Sequence, residues 1–82
     1  MTEIEFDREA SKKWFKGRKE RGNPVDAPFE GNPAFELMEE MLDSRNYLNE
    51  MLKQGLITEE SHYHAIRAVF SLALLADTAA KS

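Results

Sequence analysis

Four carboxylates on one predicted helix are the residues best suited to chemistry. Glu36, Glu39, Glu40 and Asp43 recur at spacings that place them on one side of a helix, with no base among them. Carboxylate oxygens from adjacent turns can bind Mg²⁺ together with water and phosphate oxygens. Three interpretations follow: a solvated face, a surface neutralised by the protein's own basic segment within or between subunits, or a divalent-metal site.

The same stretch resembles a known family. Residues 36–48, ELMEEMLDSRNYL, are similar to the metal-binding helix of MazG-like all-α nucleotide pyrophosphohydrolases. Glu40 and Asp43 match the family's E-x-x-D, Glu36 and Glu39 precede it, and Tyr-Leu follows at 47–48. The resemblance implies that these four carboxylates hold Mg²⁺ against the phosphates of a nucleotide. A Mg²⁺-dependent hydrolase is therefore the alternative function, and without it no cofactor is expected.

The carboxylates lie on a long amphipathic helix that the sequence places at 33 to about 54. Leu37, Met41, Leu48 and Leu52 return to the side opposite the carboxylates. Asn32 is the expected N-cap, Pro33 suits the first helical position, and Gly55 suits the left-handed residue after the helix.

A second helix is predicted to return antiparallel to the first. Residues 54–58 form the expected tight turn, and Thr58 is the expected N-cap of a helix from Glu59 to about Ala79. Between Ala65 and Ala76 this helix is apolar almost all round, which requires cover on more than one side.

The N-terminal part is predicted to hold a shorter, basic helix. The alternation in residues 2–6 indicates an extended arm, and Asp7 is the expected N-cap of a helix to about Glu20. The Pro- and Gly-rich residues 23–33 predict an irregular, ordered connection that Val25 and Phe29 pin to the helices.

Size and composition favour self-association. An 82-residue chain without cysteine is expected to be one domain (1–82) with a marginal core, and hence a homo-oligomer or the ligand of another protein. The expected self-association residues share the third helix: Tyr63, Ile66, Val69, Phe70 and Leu74. The lack of a long apolar run or a signal-like N-terminus predicts a cytoplasmic protein without a membrane segment.

Charge is distributed unevenly along the chain. Seven of the 11 Lys and Arg residues lie within 1–22, whereas 10 of the 15 acidic residues lie within 23–82. Basic residues interleaved with an aromatic residue are suited to a nucleic-acid contact. The overall acidity of the chain (pI about 5.1) argues against nucleic-acid binding. We therefore expect the tryptophan to dock the helix and the lysines to be solvated. The basic patch comprises Lys12, Lys13, Trp14, Lys16 and Lys19.

The two histidines are not expected to form a metal site. His62 and His64 are two residues apart on a helix and point about 200° from each other. His62 shares the side of Ile66 and Val69 and is expected to pack, whereas His64 is expected to be exposed.

These patterns together predict a three-helix, all-α domain with a long antiparallel hairpin at 34–79, packed as an oligomeric bundle. The expected function is that of a small regulatory or phage-type accessory module that self-associates and binds a protein partner. No catalytic residue is assigned.

Overall fold

The protein is all-α. The computed structural model describes residues 1–20 and 31–82, apart from the side chains of residues 19 and 20. Within these ranges it has three helices: α1 (Glu3–Glu20), α2 (Pro33–Lys53) and α3 (Glu59–Ala80). The predicted fold class is confirmed.

α1 begins earlier than the sequence analysis expected. The extended arm at residues 2–6 and the N-cap at Asp7 are wrong, because Thr2 caps the helix: its Oγ1 accepts a hydrogen bond from the backbone N–H of Glu5 at 3.1 Å. The Thr2 carbonyl also accepts the N–H of Phe6 at 2.9 Å. Thr-x-x-Glu is the capping-box pattern, and Glu3 and Glu5 lie at the positive end of the helix dipole. The predicted end near Glu20 agrees with the structure.

The caps of α2 agree with the prediction. Asn32 Oδ1 accepts the N–H of Ala34 at 2.9 Å, and Pro33 occupies the start of the helix. At the other end Gly55 has φ 75°, which glycine adopts without a Cβ penalty. The N–H groups of Gly55 and Leu56 donate to the carbonyls of Leu52 and Met51 at 3.0 and 2.9 Å. These two bonds form a Schellman motif, which ends the helix where the chain must reverse.

α3 starts directly after this reversal. Thr58 Oγ1 accepts the N–H of Ser61 at 3.1 Å, and Glu59 and Glu60 lie in the first turn. The tight turn at 54–58 is therefore confirmed, with a local cap on each side.

α2 and α3 pack against each other as an antiparallel hairpin. Asn49 meets His62 near the turn, whereas Met41 and Leu42 lie beside Val69 and Phe70 further along. Among the described residues Ala76 is the one fully buried apolar residue, at 1% exposure. The rest of the helix–helix contact is half-buried, so this hairpin core is thin.

α1 makes no close backbone contact with the described hairpin, although Arg18 near its C-terminal end is buried, at 3% exposure. No Cα atom of α1 comes within 8 Å of a Cα atom of α2 or α3. The irregular connection predicted at 23–33, with Val25 and Phe29, falls largely outside the described residues.

Candidate interaction surface

The predicted acidic residues lie together on the outer side of α2. Glu36, Glu39, Glu40 and Asp43 are all exposed, while Leu37, Met41 and Leu48 on the other side of the helix are half-buried. No ion pair joins any of the four to another described residue. Pairing of these carboxylates with the basic segment is thus not seen among the described side chains of one chain.

A metal site is not assembled in the described part of the chain. No group of three or more His, Asp or Glu residues there is arranged to hold an ion. MazG-like enzymes carry an E-E-x-x-E motif on an earlier helix, and α1, EIEFDREASKKWFKGRKE, lacks it. Metal binding by the four carboxylates stays a prediction.

The basic patch lies on exposed α1. Lys12, Lys13 and Lys16 are exposed, and Trp14 is 49% exposed. Lys12 pairs with Glu9 of its own helix at 3.3 Å, and the Arg18 guanidinium stacks over the Trp14 ring at 5.4 Å from the centroid. The Lys19 side chain is outside the described part. Trp14 is thus about half exposed beside three exposed lysines.

The two histidines are separated as predicted. His62 is half-buried, and its Nε2 lies 2.8 Å from Asn49 Oδ1 across the hairpin. His64 is exposed and lies 3.9 Å from the Glu60 carboxylate one turn earlier. They cannot share one ion.

An open apolar groove of about 280 Å³ lies between α2 and α3. Its floor is formed by half-buried Met41, Ile66 and Val69, and its rim by Leu42 and Phe70. Phe70 is 60% exposed and Leu42 is 52% exposed. We call this side of the hairpin the groove face. Its lining residues are Met41, Leu42, Arg45, Ile66, Val69, Phe70 and Ala73.

The structure divides the predicted self-association residues into two layers. Ile66 and Val69 are half-buried against α2, whereas Phe70 is exposed at the groove rim. Tyr63 and Leu74 are exposed on the same side of α3, seven residues before and four residues after Phe70. The outer layer is therefore open to a partner, and the inner layer supports it.

The sequence analysis missed the contribution of α2 to this face. Leu42 lines the groove, and Phe35, seven residues earlier and so on the same side of the helix, is 60% exposed. Arg45 also lines it, with its guanidinium donating to Asn46 at 3.1 Å. The seven-residue repeat of exposed apolar residues at 35 and 42 was the signal available.

The chain has no match among protein-family models, curated proteins or solved structures. The MazG likeness of residues 36–48 consequently rests on those residues alone. None of the described helices is both long and apolar enough to cross a bilayer.

Proposed function

We propose that this protein is a small helical interaction module that self-associates through the groove face and binds a protein partner. The observation that carries the proposal is the exposed apolar rim of Leu42 and Phe70 above a half-buried floor, with exposed Leu74 one turn further along α3. Contiguous apolar surface of this kind on a small domain marks an interaction site. The hairpin has only a thin core, so covering the groove face would bury further apolar surface and stabilise the fold.

A protein partner is supported by a second exposed surface. α1 displays Trp14 and Phe15, both 49% exposed, beside Lys12, Lys13 and Lys16. Aromatic residues are enriched at protein interfaces, in which tryptophan often anchors binding inside a polar rim. Trp14 keeps this exposure with the Arg18 guanidinium 5.4 Å from its ring centroid, and Arg18 itself is buried.

Two neighbouring leucines of α3 provide a matched test of self-association. Leu74 is 51% exposed on the groove face, and Leu75 is 62% exposed on the other flank of the helix. Light scattering over a range of concentrations should give the wild type a mass above 9.4 kDa. Leu74→Glu should reduce that mass to the monomer value, whereas Leu75→Glu, with the same change of charge, should leave it unaltered.

Circular dichroism of both variants keeps the test interpretable. If the two variants remain equally helical and equally associated, the groove face is not the interface. A wild type of monomer mass at every concentration would remove self-association from the proposal. Trp14, the only tryptophan, then reports on partner binding: its emission should change on titration with a protein captured by the full chain, and Trp14→Ala should weaken that complex.

A further inference from the structure

Seven residues on one side of α3, among them the groove-lining Ile66 and Phe70, form a stripe with a particular order of chemistry. Acidic Glu59 stands at its N-terminal end and basic Lys81 at its C-terminal end, with Phe70 midway between them. Every helix places residues at these spacings on one side. What distinguishes this stripe is the chemical type of the residue at each position. In order, the stripe comprises Glu59, Tyr63, Ile66, Phe70, Leu74, Asp77 and Lys81.

Reversing a second α3 about Phe70 pairs each of these residues with a compatible one. Glu59 then faces Lys81 of the second copy, since each lies 11 residues from Phe70. Within one chain, Lys81 Nζ donates to Asp77 Oδ2 at 2.9 Å, so the new pairs would exchange or share this contact. Tyr63 faces Asp77, a phenol donor opposite a carboxylate, and Ile66 faces Leu74. The antiparallel pairing also sets the two helix dipoles head to tail. The stripe is therefore complementary to its own reverse.

α2 shows the same relation about Leu42. The hairpin brings Leu42 level with Val69 and Phe70, so that one axis passes near both Leu42 and Phe70. Glu39 and Arg45 each lie three residues from Leu42, on either side. In a reversed second copy, Arg45 at the groove thus comes level with Glu39 on the outer flank of the other α2, and each dimer contains two such pairs.

The geometry points to a second copy of this chain, docked groove face to groove face, with a two-fold axis perpendicular to the helices through Leu42 and Phe70. The product is an antiparallel four-helix bundle in which α3 packs on α3 and α2 on α2. This inference rests on the proposed function, and specifies how the groove face is covered.

The other face-to-face arrangement is disfavoured by charge. A two-fold axis parallel to the helices would set α2 against α3 of the second copy at the same level. Arg45 lies level with Ile66 and Arg67 across the hairpin, so two guanidinium groups would meet without a carboxylate between them.

The exposed area suits such a dimer. Side chains of this size that are half exposed leave about 100 Å² each open to water. Phe35, Leu42, Tyr63, Phe70 and Leu74 are exposed by 51–60%. With the groove floor and the charged ends of the stripe, the groove face approaches the roughly 800 Å² per partner of a standard interface.

Cysteine pairing tests the register directly, because the chain contains no cysteine. Chains carrying Glu59→Cys and chains carrying Lys81→Cys are mixed and equilibrated in a glutathione buffer. The mixture should form a disulfide-linked heterodimer, while either variant alone should remain largely unlinked. The two positions lie at opposite ends of one helix, about 33 Å apart, so no link can form within a chain.

Reversing the charge of Arg45 is a second test, because the two arrangements predict opposite changes in the strength of dimerisation. Arg45→Glu should weaken dimerisation about tenfold, because it sets like charges together in both symmetric pairs. Mixing it with Glu39→Arg should restore association. If Arg45→Glu strengthens the dimer, or if the cysteine mixture stays unlinked while light scattering shows a dimer, the perpendicular axis is wrong and self-association stands. A monomer in light scattering overturns both.

Discussion

His62 of α3 and Asn49 of α2 are joined across the hairpin, with the imidazole Nε2 2.8 Å from the amide Oδ1. Both side chains are half-buried and lie near the turn. The contact fixes how far α2 and α3 are shifted along each other. Two short side chains can meet only if Asn49 and His62 lie at the same height along the hairpin. His62 must donate through Nε2 to make this contact.

Removing this contact should destabilise the hairpin. His62→Ala and Asn49→Ala should each lower the unfolding free energy by about 0.5–1.5 kcal/mol, the usual contribution of a hydrogen bond. The double variant should lose less than the sum, which a double-mutant cycle from urea denaturation at one fixed protein concentration would measure. His64→Ala is the control on an exposed histidine. Additive losses would mean that the two side chains do not interact in solution.

A substitution at Gly55 should affect stability through the backbone alone. A Cβ built there meets nothing within 4 Å, so its cost arises from φ 75°. Gly55→Ala should lower the unfolding free energy by about 1–2 kcal/mol, and Gly55→Asn should cost less, because asparagine tolerates this conformation. Thermal melts of the two variants compare them directly. Equal losses would assign the effect to something other than the left-handed backbone.

The two threonine caps should have separable effects. Thr58→Ala should lower the stability of the hairpin by about 1 kcal/mol, since it removes the N-cap of α3. Thr2→Ala should fray the start of α1, as seen by faster amide exchange at residues 3–6, with the melting midpoint of the hairpin unchanged. The difference follows from the separation of α1 from α2 and α3. A fall of the hairpin midpoint with Thr2→Ala would show that α1 packs on it.

The acidic side of α2 should be insensitive to magnesium if it serves only as a solvated or protein-facing surface. Asp43→Asn and Glu40→Gln each remove one like-charge pair at four-residue spacing, with Glu39 and Glu36 respectively. Each should leave stability unchanged or raise it by a few tenths of a kcal/mol. Millimolar Mg²⁺ should not shift the melting midpoint of the wild type. A shift that both variants abolish would favour the MazG-like hydrolase instead.

Local chemistry explains which elements could be predicted from the sequence. Asn32, Gly55 and Thr58 act within a few residues of themselves, so the limits of α2 and the start of α3 follow from the chain alone. The start of α1 is also set locally, by the Thr-x-x-Glu cap at residues 2–5, but the alternation at residues 2–6 predicted an extended arm instead. The groove face depends on how two helices are rotated against each other. Without that rotation, the sequence could not show which of the residues from Tyr63 to Leu74 are half-buried and which are exposed.

The doubly capped turn at 54–58 also has a kinetic consequence. The contacts between α2 and α3 begin next to this turn and join residues that lie progressively further apart along the chain, starting from Asn49 and His62. Closing so short a loop takes on the order of 10–100 ns, and helices elongate in about nanoseconds per residue. The hairpin can therefore zip from the turn outwards as one unit, with low contact order. A nascent chain would reach this state only after α3 has been synthesised, since α3 forms the second half of the hairpin.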